Sequence, residues 1–387
     1  MNTEQLKETF LSLYGAGENE IRIFFSPGRV NLIGEHTDYN GGYVFPCALS
    51  FGTYLAVREN KKRLVRFATT NFDHRGEVEL DEPFEKDGKS WFNYPVGVLN
   101  EFRKQAKEIE GVDLLYSGDI PNGAGLSSSA SIEMVTAFAM NEIFDFGMER
   151  MDLVKTSQNA ENLFVGVNCG IMDQFASGMG ARDHALFLNC DTLDYERVPL
   201  KLEGMKIIIA NTNKRRGLAD SKYNERRAQC EAAAEALRSG KKIKHLSDLN
   251  LDEFNELSHL ISDETERRRA RHVITENNRT LSAIEALNEG KLSSFGRLMN
   301  ESHDSLRDDY EVTGIELDTL VEEARKLEGT IGSRMTGAGF GGCTVSIVRE
   351  DDVETFIREV GSRYKERTGL KADFYVAEIG DGSKEIV

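Results

Sequence analysis

The chain has 387 residues, of which 40% are hydrophobic and 29% charged, a soluble globular composition with room for one large or two ordinary domains. Its formal net charge of −17 argues against binding nucleic acid or an anionic membrane through the overall field, while leaving a local basic patch able to hold a phosphate. Five scattered cysteines (Cys47, Cys169, Cys190, Cys230, Cys343) show no CxxC spacing, which points away from zinc and from a disulfide framework and towards a reduced cytoplasm.

The N-terminal MNTEQLKETFLSLYG predicts an amphipathic helix with Leu6, Phe10, Leu13 and Tyr14 on one face. It has no apolar leader core, and no later run is long enough to span a bilayer. IRIFFSPGRVNLIG reads as a strand broken at Pro27-Gly28, and YVFPCALSFGTYLAV and RLVRFAT as short β-rich segments. WFNYPVGVLNEFRKQA predicts a helix, and VDLLYSGDIP a strand ending in a turn. SSASIEMVTAFAMNEIF is apolar or small nearly all round, which predicts a buried helix. MDLVKTSQNAENLFVG predicts another helix, and HALFLNCDTLDYERVPL and MKIIIANTN predict strands.

Three long helices follow: YNERRAQCEAAAEALRSG, ERRRARHVITENNRTLSAIEALNEG and ELDTLVEEARKLEG, each stopped by a glycine. The end reads strand, helix, strand in GGCTVSIVR, VETFIREVGSRYKERTG and KADFYVAEI. Strands and helices alternate without a regular βαβ period, so the class is α+β. There is no repeat, low-complexity stretch or Pro-rich linker, so a compact boundary is placed near residue 204, giving units 1–204 and 205–387.

GDIPNGAGLSSSAS (Gly118 to Ser131) is the strongest phosphate signal. Small residues let the backbone approach an anion, and the loop leads into a helix whose first N–H groups favour negative charge. A Walker A loop needs a Lys after its second glycine, but Gly123 is followed by Ala124. A plain capped turn would explain one serine, not three in a row beside Gly-Ala-Gly. RMTGAGFGGCTVSIV spaces Gly337, Gly339 and Gly342 as GxGxxG, yet these glycines precede a strand, the wrong order for a dinucleotide fold. A loop packing on the phosphate loop and a simple β-turn both remain open. In NCGIMDQFASGMG, Asp173 lies among Ile171, Met172 and Phe175, so it is capped by a helix N-terminus, paired, or functional. Glu161, alone, reads as a surface residue, and so does Arg29 after Pro27-Gly28.

GRVNLIGEHTDYNGG packs a carboxylate, an imidazole, a hydroxyl, a second carboxylate, a phenol and an amide into six residues, Glu35 to Asn40. Such a turn is either solvated or grips something covered in hydroxyls. Metal binding by Glu35, His36 and Asp38 is disfavoured, because no further ligand follows at recognisable spacing. A phosphate loop together with a polyhydroxyl-gripping turn suggests phosphoryl transfer to a polyol; a non-catalytic nucleotide-and-sugar sensor also fits.

These segments resemble the sugar kinases of the GHMP superfamily, and the galactokinases within it closely. GRVNLIGEHTDYN is similar to the galactokinase signature, GAGLSSSAS to the superfamily's ATP loop, GAGFGGC to its third motif, and CGIMDQF to the stretch carrying the catalytic Asp. The motifs run in order from Pro27 to Cys343. The resemblance implies a GHMP-kinase-like fold of two α+β domains with the active site in the cleft between them. It implies transfer of phosphate from ATP to the C1 hydroxyl of D-galactose, giving α-D-galactose 1-phosphate, the entry into the Leloir pathway. Glu35, His36, Thr37, Asp38, Gly170, Asp173 and Tyr223 would meet the sugar. Gly123, Ala124, Gly125, Leu126, Ser127, Ser128 and Ser129 would wrap the nucleotide phosphates. Ser129 and Glu161 would hold Mg²⁺, Asp173 would take the C1 hydroxyl proton, and Arg29 would keep Asp173 ionised. A related hexose such as N-acetylgalactosamine is the alternative substrate. A galactose sensor is the alternative class, against which the intact SSSASIE speaks. Trp91 is the candidate for stacking on adenine, and a cytoplasmic monomer is expected.

Overall fold

The computed structural model describes residues 2–88, 90–121, 124–200, 202–214 and 219–386, with the side chains of 219 and 220 excepted. Among these, the amphipathic start forms α1 (Thr3–Tyr14), which buries Leu6 and Phe10. β1 (Arg22–Asn31) is buried along nearly its whole length and lies inside a sheet. β2 (Tyr43–Val44), β3 (Pro46–Glu59), β4 (Leu64–Thr69), β5 (Gly76–Glu79), α2 (Asn93–Lys104), β6 (Val112–Gly118) and α3 (Ser128–Ile143) follow. Then come α4 (Arg150–Asn159), a wider π-type turn (Ala160–Val165), α5 (Met172–Met179), β7 (His184–Asn189), β8 (Tyr195–Pro199) and β9 (Met205–Asn211).

Helices dominate the next stretch: α6 (Ala219–Arg238), α7 (Leu251–Leu257), α8 (Glu264–Asn288), α9 (Leu292–Ser305) and α10 (Ile315–Arg325). The chain closes with β10 (Thr330–Thr336), β11 (Cys343–Arg349), α11 (Val353–Thr368), β12 (Asp373–Ala377) and β13 (Lys384–Ile386). The strands form sheets ordered β13-β1-β3-β6-β4-β5, β10-β11-β9-β12 and β2-β7-β8. The chain's last strand therefore returns to pair with its first.

Phe67, Val96, Phe102, Leu114, Met134 and Phe175 belong to one apolar core, which α2 to α5 build with the first sheet. A second core joins residues from both halves of the chain, among them Val30, Leu32 and Phe45 with Ile207, Phe295, Met299 and Val345. This shared core seats β1 and the turn after it on α8, α9 and the second sheet.

β1 is not broken at Pro27-Gly28. It runs through them with a register shift between Pro27 and Arg29: Gly28 alone spans the gap on β1 while Leu49, Ser50 and Phe51 span it on β3, so the surplus residues bulge from β3. At that shift the Arg29 N–H leaves the ladder and donates to the Leu126 carbonyl at 3.2 Å. The irregularity thus ties the strand to the phosphate loop. The helix expected over MDLVKTSQNAENLFVG changes winding at Ala160, where single π turns often accompany functional positions.

Candidate active site

Just past the register shift, β1 directs Arg29 into the protein, where its side chain is 4% exposed. Nε and Nη2 donate to the two oxygens of Asp173 at 2.7 and 2.9 Å, a fork-to-fork pair, and Nη1 donates to the Gly125 carbonyl at 2.9 Å. Burial alone would depress the Arg29 pKa, but the charges of Asp173, Glu35 and Asp38 raise it overall. Asp173 lies in the first turn of α5. Its carboxylate also accepts from Ser127 Oγ at 2.6 Å and the side chain is still 26% exposed, so one face is open. The candidate catalytic carboxylate is therefore paired, the second of the readings open from sequence.

Ser127 precedes α3 with a left-handed backbone (φ 62°), and no side chain caps that helix end. The first-turn N–H groups of α3 are thus presented as an anion site would require. Ala124 and Leu126 are buried, Ser128 is exposed and Ser129 half-buried. Gly123 lies outside the described residues. The third glycine motif packs on this loop: Gly337 has φ +84°, and a Cβ there would sit 2.8 Å from the Gly125 carbonyl oxygen.

The Ser129 side chain hydrogen-bonds Glu161, which sits in the π turn and is 6% exposed rather than on the surface. Gln174 Nε2 bridges two carboxylates, donating to Glu161 at 2.6 Å and to Glu133 at 2.9 Å. Burial and the charge of Asp173 push Glu161 up to about 7, against hydrogen bonds from Cys169, Ser129 and Gln174. Burial, then Glu161, pushes Glu133 well above the usual carboxylate range. Glu133 and Gln174 were not foreseen. The available signal was a glutamate inside the apolar run of the helix, four residues after Ser129.

The turn after β1 is held mostly by itself and its neighbours. Glu35 is 2% exposed, and its carboxylate accepts from Arg334 Nη2 at 2.9 Å. Thr37 Oγ1 lies 2.9 and 2.7 Å from the Gly34 and Tyr43 carbonyl oxygens, and Asn40 donates to the His36 carbonyl at 2.9 Å. His36 Nδ1 meets the Tyr39 hydroxyl at 2.8 Å, and the His36 ring packs on Tyr223 and Tyr310. Burial, helped by the cations around it, pushes His36 well below the usual imidazole range, so the ring is neutral.

Asp38 is half-buried and faces the open side of this turn. Gly170 approaches it so closely that a Cβ would stand 1.9 Å from Oδ2, which explains a glycine there. Burial, with Asp173 and Glu35 nearby, pushes Asp38 up to about 7. A cleft of about 280 Å³ opens here, lined by Asp38, Tyr39, Cys169, Gly170, Cys190 and Arg227 among others. Tyr223 packs edge-on by the same turn, its ring centroid 5.3 Å from that of Tyr39.

Of the expected residues, Glu35, Asp38, Gly125, Ser127, Glu161 and Tyr223 are brought close to the Arg29–Asp173 pair, and Trp91 is not among them. Trp91 stands edge-on among Phe72, Phe92 and Tyr116, its indole N–H on the His74 carbonyl at 3.2 Å. Arg334 was missed, because a charged residue in a strand has no local signature of its buried partner.

The sequence matches three family models: the galactokinase galactose-binding signature over residues 8–59, the GHMP kinase N-terminal domain over 93–181 and the GHMP kinase C-terminal domain over 283–366. It is 55% identical to a galactokinase of Fusobacterium nucleatum over 95% of each chain, and 53% identical to one of Bacillus subtilis over 99% of each. Its fold superposes on a crystal structure of Lactococcus lactis galactokinase complexed with galactose with a TM-score of 0.97, at 46% identity, covering 99% of this chain and all of that one. A mevalonate kinase structure, 18% identical with a TM-score of 0.67 over 93% of this chain, shares the fold.

Proposed function

The chain belongs to the galactokinase family of the GHMP kinases, and from that premise we propose that it transfers the γ-phosphoryl group of ATP to the C1 hydroxyl of D-galactose. The observation that carries the chemistry is the forked Arg29–Asp173 pair, set between the phosphate loop and the sugar turn. A sugar hydroxyl is a poor nucleophile at neutral pH, and Asp173 is the carboxylate positioned to take its proton as the O–P bond forms. Arg29 orients that carboxylate through its two-point contact and adds positive charge beside the transferring group. Ser127 fixes the other side of Asp173 Oδ2. The transition state is loose, so positioning does most of the work.

Glu35, His36, Thr37 and Asp38 form the sugar turn in this reading, with Gly170 and Tyr223 closing on it. Asp38 is its exposed acceptor, and Glu35 and Thr37 act mainly by holding the backbone. Residues 123 to 129 cradle the phosphates. Ser129 and Glu161 offer adjacent hard oxygen donors that fit Mg²⁺, which takes one or two carboxylates and completes its shell with phosphate and water. Bound there, Mg²⁺ would neutralise phosphate charge. Among the described residues no three His, Cys, Asp or Glu side chains converge as a ready-made metal cage, so the nucleotide would supply the remaining ligands. We also propose to divide the chain at residue 204, in the turn before β9. The free cysteines support a reducing compartment such as the cytoplasm.

An ATP-consumption assay across a panel of hexoses tests the reading. Galactose should be turned over and glucose handled far worse, since fixed acceptors read hydroxyl stereochemistry. Equal kcat/KM for the two sugars, or no turnover of galactose, would overturn it.

A further inference from the structure

Glu35 is gripped at each of its polar groups by residues more than two hundred positions away. Its backbone N–H donates to Glu276 Oε1 at 3.2 Å, as does the N–H of Gly34 at 3.0 Å. Its carbonyl faces His272 Nε2 at 3.1 Å. Its carboxylate takes Arg334 Nη2 at 2.9 Å. Glu276 and His272 are one turn apart on α8, so they meet the turn from a single helix face, and Arg334 comes from β10.

These partners are fixed in turn. Glu276 also accepts from Ser302 Oγ at 2.6 Å and pairs with Arg279. His272 Nδ1 lies 2.9 Å from Ser305 Oγ and its ring packs on Tyr310. Because Nε2 faces a carbonyl, it carries the proton, and Nδ1 accepts from the serine. Arg334 reaches Ser302 Oγ at 3.2 Å and the Asn31 carbonyl at 2.9 Å. Glu276, His272 and Arg334 are 0%, 0% and 0% exposed, so none of them meets a ligand directly.

The next residue explains why such a grip is needed. His36 has φ 62°, a left-handed conformation that is strained for a non-glycine residue and persists only where its surroundings over-determine it. A loose Glu35 would let the peptide relax and would carry Asp38 away from Gly170.

We propose that Glu276 and His272 are positioning residues for sugar recognition: from the C-terminal half they lock Glu35 and the strained His36, and so set where Asp38 meets the hexose. The proposal rests on the galactose reading above. It predicts that galactose recognition depends on a helix that touches no substrate, while nucleotide binding does not.

The test is steady-state kinetics with galactose, glucose and ATP, plus galactose calorimetry and thermal melting, on the full chain. Glu276→Ala should raise galactose KM and Kd roughly 10- to 100-fold, the size expected for losing hydrogen bonds to a charged acceptor, and should narrow the galactose-to-glucose preference. ATP KM should stay near the wild-type value. Glu276→Gln keeps an acceptor for the two N–H groups and should recover much of the loss. If Glu276→Ala does not fold, His272→Phe, which keeps the ring packing on Tyr310, should show the same split at smaller size. Equal rises in both KM values, or an unchanged galactose KM in a folded variant, would overturn the proposal alone. A wild-type chain that neither binds nor phosphorylates galactose would overturn the reading of the site, and this proposal with it.

Discussion

The sugar turn and the phosphate loop lie on either side of Asp173, yet they are built in opposite ways. In the turn, Glu35, Thr37 and Asn40 direct their polar atoms into the protein, and Asp38 faces outward. In the loop, α3 starts without a side-chain cap, Ser128 is exposed, and the tethers run through the Gly125 and Leu126 carbonyls to Arg29, Ser127 to Asp173 and Ser129 to Glu161. A dense polar motif is therefore mostly scaffolding for one or two ligand contacts. A bland, small-residue loop leaves its backbone donors for the ligand.

The largest effect should come from the residue the two regions share. Asp173→Asn should lower kcat by about 10²–10⁴ while galactose Kd stays close to wild type, because the amide still hydrogen-bonds. Near-wild-type kcat in that variant would leave positioning alone to account for the rate. Arg29→Ala should follow, with kcat down by roughly 10²–10³, because Asp173 loses its two-point anchor and the transferring group loses the adjacent cation. Arg29→Lys keeps the charge but loses the fork, and should do less harm.

The next change separates the loop from the turn. Ser129→Ala or Glu161→Ala should raise the Mg²⁺ requirement by roughly tenfold with little change in galactose KM. A sharp rise in galactose KM with flat Mg²⁺ dependence would contradict the division of labour. The smallest effect is on stability. Asp38 has its pKa raised to about 7, so the folded chain keeps a proton that the unfolded chain releases near pH 4, and folding weakens as pH climbs between those values. Asp38→Asn should remove that cost. Melting curves should show the variant gaining a few degrees over wild type at pH 8 and less at pH 5, while galactose binding suffers. An equal gain at both pH values would mean that Asp38 does not titrate as placed.

Much of this was legible in the sequence, because the recognisable signals are local. The glycine-stopped helices, the buried Ser128–Ile143 helix and the order of motifs need only periodicity and spacing. Pairing across distance was not legible. Arg29 read as a surface residue and is buried on Asp173, 144 positions away. Glu161 also read as a surface residue and is closed in by Gln174 and Ser129. Pro27-Gly28 looked like a strand break, yet the strand continues across a register shift, because tertiary contact with Leu126 replaces the lost ladder bond. The short α5, α7 and β13 span too few residues for a local pattern to decide, and owe their form to packing on neighbours. His272, Glu276 and Arg334 carry no motif at all.

The central claim is that the sugar turn is completed by the protein, without the nucleotide. Calorimetry of galactose against the full chain tests it, first alone and then with saturating ADP and Mg²⁺. A preassembled turn predicts that galactose binds the nucleotide-free chain with an affinity close to that in the presence of ADP. Galactose binding that appears only once nucleotide is present would contradict the account, because Glu35, His36 and Asp38 would then have to be organised by the phosphate loop rather than by α8 and β10.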